Sequence, residues 1–140
     1  MDRFALKNLW VAIGLVMPGL VCAAPTGGIV ESGSASISQE GSVTRVDQST
    51  QAASIGWDQF NVAVDETVTF AVPSANAVTL NTIRDHLPSQ ILGQVTSNGR
   101  VILANPNGLF FGSNSTVNVG SLIATTSDAS LIGDQLTLHG

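Results

Sequence analysis

The sequence predicts an all-β domain built as a parallel β-solenoid. Short segments of alternating apolar and polar residues recur from residue 27 onward, separated by Gly, Asn and Ser. No stretch keeps an apolar i, i+3, i+4, i+7 pattern over three turns, which argues against helices. Strands of four or five residues at short, irregular intervals favour a solenoid over a β-sandwich, which needs longer alternating strands. The spacing is too irregular for a repeat length to be counted.

The first 23 residues have the pattern of a signal peptide. Arg3 and Lys7 form a short basic start, and residues 9–16 form an apolar run. This run is much shorter than the roughly 20 apolar residues that a membrane-spanning helix needs. Residues 1–23 are therefore predicted to target the chain for export.

Small residues at Val21 and Ala23 predict cleavage between Ala23 and Ala24, which leaves a single domain at residues 24–140. Because the only cysteine, Cys22, is removed with the signal, the mature chain can form no disulfide. Three arginines and nine acidic residues remain, a net charge of −6. So few scattered cations exclude binding to nucleic acid and attraction to anionic lipid.

The strands are predicted in chain order from their alternation. Residues 26–41 are small and polar and predict edge strands or a cap over one end of the solenoid. Alternating segments predict strands at residues 43–46, 67–70, 77–80, 116–119 and 136–138. Two denser apolar segments, residues 91–95 and 101–104, predict buried strands.

Tight turns are predicted where Asn precedes Gly, as at Asn98-Gly99, because both residue types tolerate positive φ. A second such pair ends a tetrapeptide that suits a type I turn, with Pro presetting φ at the second position and Gly at the fourth. We interpret this tetrapeptide as a structural bend that can also serve as a recognition element: Asn105, Pro106, Asn107 and Gly108.

The aromatic residues are predicted to pack in the core or cap rather than to form a platform for sugar. After the signal peptide they are Trp57, Phe60, Phe70, Phe110 and Phe111, and a small core needs nearly all of them. Phe110 and Phe111 are adjacent, so on a strand they point to opposite faces and one of them packs inside.

The ionisable residues predict neither a catalytic site nor a metal site, and no cofactor is expected. Residues 84–86 (Arg-Asp-His) are interpreted as a solvated loop. Asp65 and Glu66 diverge if they lie on a strand, so they cannot form the carboxylate pair of a glycosidase. His86 and His139 are too isolated in the sequence to hold a metal.

Several ordered segments between residues 54 and 126 carry a family resemblance: SIGWDQFNV, ETVTF, PSANAVTLNTI, SQILGQVTSNGRVILANPNGLFFG and STVNVGSLIATT. The sequence resembles the amino-terminal secretion domain of two-partner secretion (TPS) exoproteins, the family of filamentous haemagglutinins and high-molecular-weight adhesins. The resemblance covers most of the mature chain, about residues 26–126, and that family also requires a preceding signal peptide.

The resemblance implies a right-handed parallel β-helix with an amino-terminal cap and extra-helical strands. It implies that the domain directs its own polypeptide to an outer-membrane β-barrel transporter of the TpsB type. The transporter's periplasmic POTRA repeats would recognise the domain in an unfolded or partly folded form. The chain would thus pass through the periplasm and be secreted to the surface of a Gram-negative-type cell envelope.

At residue level, the resemblance assigns the family's Asn-Pro-Asn-Gly secretion motif to residues 105–108. Many members carry a second motif, Asn-Pro-Asn-Leu, upstream of it. The corresponding region here, residues 81–93, lacks that motif, which is similar to the adhesin branch.

Two other functions stay open on sequence grounds. One is a self-sufficient adhesin module that binds host glycan or protein. The other is a carbohydrate-active β-helix enzyme, which would need convergent carboxylates and a longer chain. The sequence stops within an alternating segment at residues 136–140, which predicts that it is a fragment or truncated product of a longer exoprotein. A host-surface ligand is a further possible partner, through the missing downstream chain. Asn114 begins a glycosylation pattern of a kind that arises by chance in chains rich in Ser and Thr.

Overall fold

A computed structural model of the chain describes residues 24–139, so the predicted signal peptide and Ala23 at the predicted cleavage site lie outside the described residues. The described chain is a right-handed parallel β-helix of about four turns. Over these residues, no helix has the length and apolar character that a membrane span requires. The predicted fold class is confirmed.

In chain order the strands are β1 (Ile29–Ser32), β2 (Ala35–Glu40), β3 (Val43–Gln48), β4 (Ala52–Trp57), β5 (Thr67–Ala71), β6 (Val78–Ile83), β7 (Ser89–Ile91), β8 (Gln94–Ser97), β9 (Arg100–Ala104), β10 (Leu109–Phe111), β11 (Thr116–Asn118), β12 (Ser121–Thr125), β13 (Asp128–Ile132) and β14 (Gln135–His139).

The strands stack into three faces. One five-stranded sheet has the order β1-β4-β6-β9-β12, and a second has the order β11-β8-β5-β3-β2. Pairing within each sheet is parallel except where β1 meets β4 and β2 meets β3. The third and narrowest face is the parallel pair β7 and β10, which a bridge between Val62 and Ile91 extends into the first coil.

Successive coils have unequal lengths. Val43 pairs with Thr67, Thr67 with Gln94, and Gln94 with Thr116. These steps are 24, 27 and 22 residues long (43 to 67, 67 to 94, 94 to 116). The variation, taken up at the corners, explains why no repeat length could be counted in the sequence.

Aromatic side chains fill the first two coils of the helix interior. Trp57, Phe60 and Phe70 are fully buried. The rings of Trp57 and Phe60 meet edge to face with centroids 5.5 Å apart. Phe111 packs against the same core, whereas Phe110 is 55% exposed. The predicted core role and the predicted opposite orientation of the two adjacent phenylalanines are confirmed.

The first two strands close one end of the interior. β1 and β2 run antiparallel to the first coil and carry Val30, Ala35 and Ile37 onto the core. The prediction that residues 26–41 form edge strands or a cap is confirmed.

A hairpin of β13 and β14 lies outside the helix against the sheet that contains β4, β6 and β9. Apolar side chains that point outward from β6 and β9 are buried there. The cluster comprises Val78, Leu80, Ile102 and Ala104 from the sheet, packed against Ala52 of the sheet and Ala129, Leu131 and Leu136 of the hairpin. The hairpin is thus an extra-helical element that shields an apolar sheet face.

The corner at Gly93 corrects one strand prediction. Residues 91–95 were predicted as one strand, but β7 ends at Ile91 and β8 begins at Gln94. A Cβ atom on Gly93 would overlap the carbonyl oxygens of Ala63 and Glu66 in the preceding coil. Only glycine therefore lets the chain bend this closely against its neighbour.

We expect Gly93→Ala to lower the free energy of unfolding by about 3 kcal/mol, because the overlapped atoms are backbone and cannot rotate away. Urea titration followed by circular dichroism measures this. The matched control is Gly41→Ala, where φ is +60° but no atom lies within 4 Å of the added methyl, so that only about 1 kcal/mol of backbone strain is expected. Equal losses in the two variants would contradict the assigned close approach.

Candidate functional site

The tetrapeptide Asn105–Gly108 forms the corner between β9 and β10. The Gly108 amide donates a hydrogen bond of 3.0 Å to the Asn105 carbonyl, which closes the turn. Gly108 has a φ of 109°, a value that L-residues rarely adopt. Pro106 and Asn107 are exposed. The predicted turn and the predicted positive φ at Gly108 are confirmed.

At the other predicted Asn-Gly turn, Asn98-Gly99, glycine is required for a different physical reason. Gly99 does not have positive φ. Glycine is needed there because a Cβ atom would crowd the side chain of Val72 and the carbonyl oxygen of Ala77. The Asn98 side chain accepts a hydrogen bond from the Val72 amide at 2.9 Å and donates one to the Val72 carbonyl at 2.8 Å, which joins two coils at this corner.

Asn105 is the buried anchor of the tetrapeptide, with 0% exposure. Its Oδ1 accepts a hydrogen bond from the Asn107 amide at 2.9 Å. Its Nδ2 donates to the Leu87 carbonyl at 3.2 Å and to the Ser89 hydroxyl at 3.0 Å. The side chain therefore holds its own turn closed and fastens it to the preceding coil.

The rest of the turn is also fastened to the preceding coil. Asn107 donates from Nδ2 to the Asp85 carbonyl at 2.7 Å. The Ser89 amide donates to the Gly108 carbonyl at 3.0 Å. The turn thus stacks on residues 84–88, the loop between β6 and β7, and leaves Pro106 and one side of Asn107 facing solvent.

The loop at residues 84–88 also reaches the amino-terminal cap. Arg84 forms ion pairs with Glu31 at 3.4 Å and Asp58 at 3.3 Å. Its Nη2 also donates to the Gly27 carbonyl at 3.5 Å. The loop is solvated, as predicted, but Arg84 also joins the cap to the second coil. Because all three charged side chains are substantially exposed, each pair contributes at most about 1 kcal/mol.

A shallow depression of about 330 Å³ lies beside the loop. Its wall combines apolar side chains with side-chain amides, and among the described residues that line it Asp85 is the single ionisable one, so these residues form no acid–base pair. The described residues that line it are Gln59, Asn61, Val62, Ala63, Asp85, Leu87, Pro88, Gln90 and Leu92.

The two adjacent carboxylates separate, although they lie in the turn before β5 and not on a strand. Asp65 is exposed, whereas Glu66 is buried and its Oε1 accepts a hydrogen bond from the Ala63 amide at 2.9 Å. Within residues 24–139, no group of three or more His, Cys, Asp or Glu residues is placed to hold a metal ion.

Comparison with known proteins places this architecture in a family. The sequence model of the TPS secretion domain matches residues 22–138. The chain belongs to the TPS secretion domain family. TPS domains belong to exoproteins that are secreted across the outer membrane of Gram-negative bacteria, in general with a TpsB transporter as partner. This chain is accordingly the secretion-directing domain of such an exoprotein.

Individual relatives agree with the family assignment. The chain is 38% identical over 110 residues to a heme/hemopexin-binding protein of Haemophilus influenzae, a match that covers 79% of this chain and 12% of that protein. A second H. influenzae heme/hemopexin-binding protein is 37% identical over 89 residues, or 64% of this chain and 10% of that protein. The TPS domain thus spans a small part of the relatives that it matches.

Two solved structures share the fold of this TPS domain. The HMW1 secretion domain from H. influenzae has a TM-score of 0.73 at 34% identity and covers 76% of this chain and 28% of its own. The filamentous hemagglutinin secretion domain has a TM-score of 0.61 at 24% identity and covers 84% of this chain and 46% of its own.

The turn of the TPS domain is recognisable in the sequence, but the residues that support it are not. Asp85, Leu87 and Ser89 hold the turn from 22, 18 and 16 residues away in the sequence. Two of the three residues contact the turn through their backbone carbonyls. Every residue type has a backbone carbonyl, so residue type does not reveal these contacts. No sequence pattern could have identified them without the register of the coils.

Proposed function

We propose that this domain directs its own polypeptide to an outer-membrane TpsB transporter, whose periplasmic POTRA repeats bind residues 105–108 before the chain has folded. The burial of Asn105 carries this proposal. In the folded domain the side chain of Asn105 is fully enclosed. A partner can therefore contact the side-chain amide of Asn105 only while the turn is open. Folding outside the cell would then bury the recognised residue and prevent rebinding.

In this proposal residues 1–23 are a signal peptide, cleaved between Ala23 and Ala24, and the mature domain passes through the periplasm. The mature sequence contains no cysteine, so the periplasm cannot trap it by oxidation. Its many Ser, Thr and Asn residues weaken premature collapse. A β-helix can then form coil by coil once the first coil is complete.

The domain itself acts by being recognised, without catalysis and without a cofactor. Any contact with a host-surface ligand, such as the heme or hemopexin in the names of the relatives, is assigned in this proposal to exoprotein chain beyond the secretion domain.

The transporter requirement is tested by expressing the full chain in a Gram-negative host with and without a co-expressed TpsB transporter. Immunodetection measures the chain in the periplasm and in the medium. We expect the chain in the medium only when the transporter is present, because the proposal assigns export across the outer membrane to that transporter. A chain that reaches the medium equally in both strains, or that stays periplasmic in both, would contradict the proposal.

The folding state of the recognised form is tested with purified POTRA repeats. The chain is offered either folded or freshly diluted from urea, and binding is followed over the first seconds. We expect the unfolded chain to bind and the folded chain to bind far more weakly. Equal binding of both forms would show that the exposed Pro106 and Asn107 suffice.

A further inference from the structure

Asn107 and Gly108 form a chemically reactive pair at the surface of the turn. In an unconstrained chain an asparagine followed by glycine loses its side-chain amide readily, because glycine has no side chain to hinder attack by its own backbone nitrogen. Asparagine is accordingly counted among the thermolabile residues. Whether the pair reacts in a protein depends on how the backbone holds both reacting groups.

The folded turn holds both reacting groups of this pair. The Gly108 nitrogen, the nucleophile, donates its hydrogen to the Asn105 carbonyl at 3.0 Å. The Asn107 Nδ2, the leaving group, donates to the Asp85 carbonyl at 2.7 Å. The backbone amide of Asn107 is held as well, because it donates a hydrogen bond of 2.9 Å to Asn105 Oδ1. Deprotonation of the nucleophile and rotation of the side chain toward it must both break hydrogen bonds.

We propose that Asn107 is a modification site gated by folding: it deamidates while the chain is unfolded and is protected once the turn has stacked on the loop at residues 84–88. In the reaction the Gly108 nitrogen gives up its proton and bonds to Cγ of Asn107. The Cγ–Nδ2 bond breaks, and the nitrogen leaves as ammonia after taking up a proton. Water then opens the cyclic imide and leaves either aspartate or isoaspartate at position 107.

Either product prevents the turn from closing as observed. A carboxylate in place of the amide cannot donate to the Asp85 carbonyl, and it adds negative charge beside an oxygen acceptor. Isoaspartate also inserts a methylene group into the backbone between Asn105 and Gly108, which changes the geometry of the turn. If the proposed function holds, a chain that waits too long in the periplasm becomes unable to complete this corner outside.

The test follows deamidation of the full chain by peptide mass spectrometry, in native buffer and in denaturing urea at the same pH. Because the hydrogen bonds at both reacting groups must break first, we expect product at position 107 to form on the order of 100-fold more slowly in the folded chain. Asn98 is an internal comparison, because its amide is held at both ends by the Val72 backbone and should also react only in urea.

The Asn107→Gln variant serves as the control for site assignment, since the longer side chain forms the cyclic imide far more slowly. A destabilised variant with an intact turn sequence, Asn81→Leu, should raise the rate at position 107 in native buffer. Equal rates in folded and unfolded chain, or no reaction in urea, would overturn the proposal. Because no transporter takes part, either result leaves the proposed secretion function standing.

Discussion

We expect Asn105→Ala to lower the free energy of unfolding by about 2–3 kcal/mol, because three hydrogen bonds are lost and the buried Ser89 hydroxyl is left without this partner. Urea titration followed by circular dichroism measures the loss. We also expect the urea-unfolded variant to bind purified POTRA repeats more weakly, because the amide proposed to be recognised is missing.

The matched control is Pro106→Ala in the same turn. Pro106 is exposed and proline at this position only presets φ, so its replacement should cost about 0.5–1 kcal/mol. Asn105→Ala with unchanged stability would contradict the anchoring role. A destabilised Asn105→Ala variant whose unfolded form binds POTRA repeats normally would instead limit residue 105 to a structural role and contradict recognition of its amide.

The second large effect is expected for Asn81→Leu in the helix interior. Asn81 is 0% exposed and connects three coils. Its Oδ1 accepts a hydrogen bond from Trp57 Nε1 at 2.9 Å, and its Nδ2 donates to the Ile102 carbonyl at 3.2 Å. Leucine has similar volume but leaves the buried indole N–H without an acceptor, which should cost about 2–4 kcal/mol.

Asn118→Leu is the control for that substitution. Asn118 lies on a strand of the same helix but is exposed, so the same change should alter the free energy of unfolding by about 0.5 kcal/mol or less. The two variants are compared in one urea titration. If both variants lose the same free energy of unfolding, the loss is caused by leucine on a strand in general and not by the unpaired indole N–H of Trp57.

Strand alternation and residue type determined much of this fold in advance. The strands β3 and β5 carry strong local patterns because a half-buried strand must alternate. The dense apolar run of β9 is typical of a buried strand, and the turn at residues 105–108 contains residue types that tolerate positive φ. The family resemblance supplied the handedness, and it specified a cap where residue type alone predicted edge strands or a cap. The strands β4 and β12 were not predicted, because AASIGW and SLIAT show no clean alternation.

The sequence by itself thus determined that residues 24–140 contain no cysteine and are acidic, that the domain is all-β, and that a tight turn lies at residues 105–108, because these properties depend on residue type and near neighbours. Only the tertiary structure decided that Asn105 is buried, that Asn107 donates to Asp85 and that Asn81 bridges Trp57 to Ile102. Those contacts depend on which residues of neighbouring coils, which differ in length, stack on one another. That register is set by the close approach of backbones at corners such as Gly93, which local sequence does not encode.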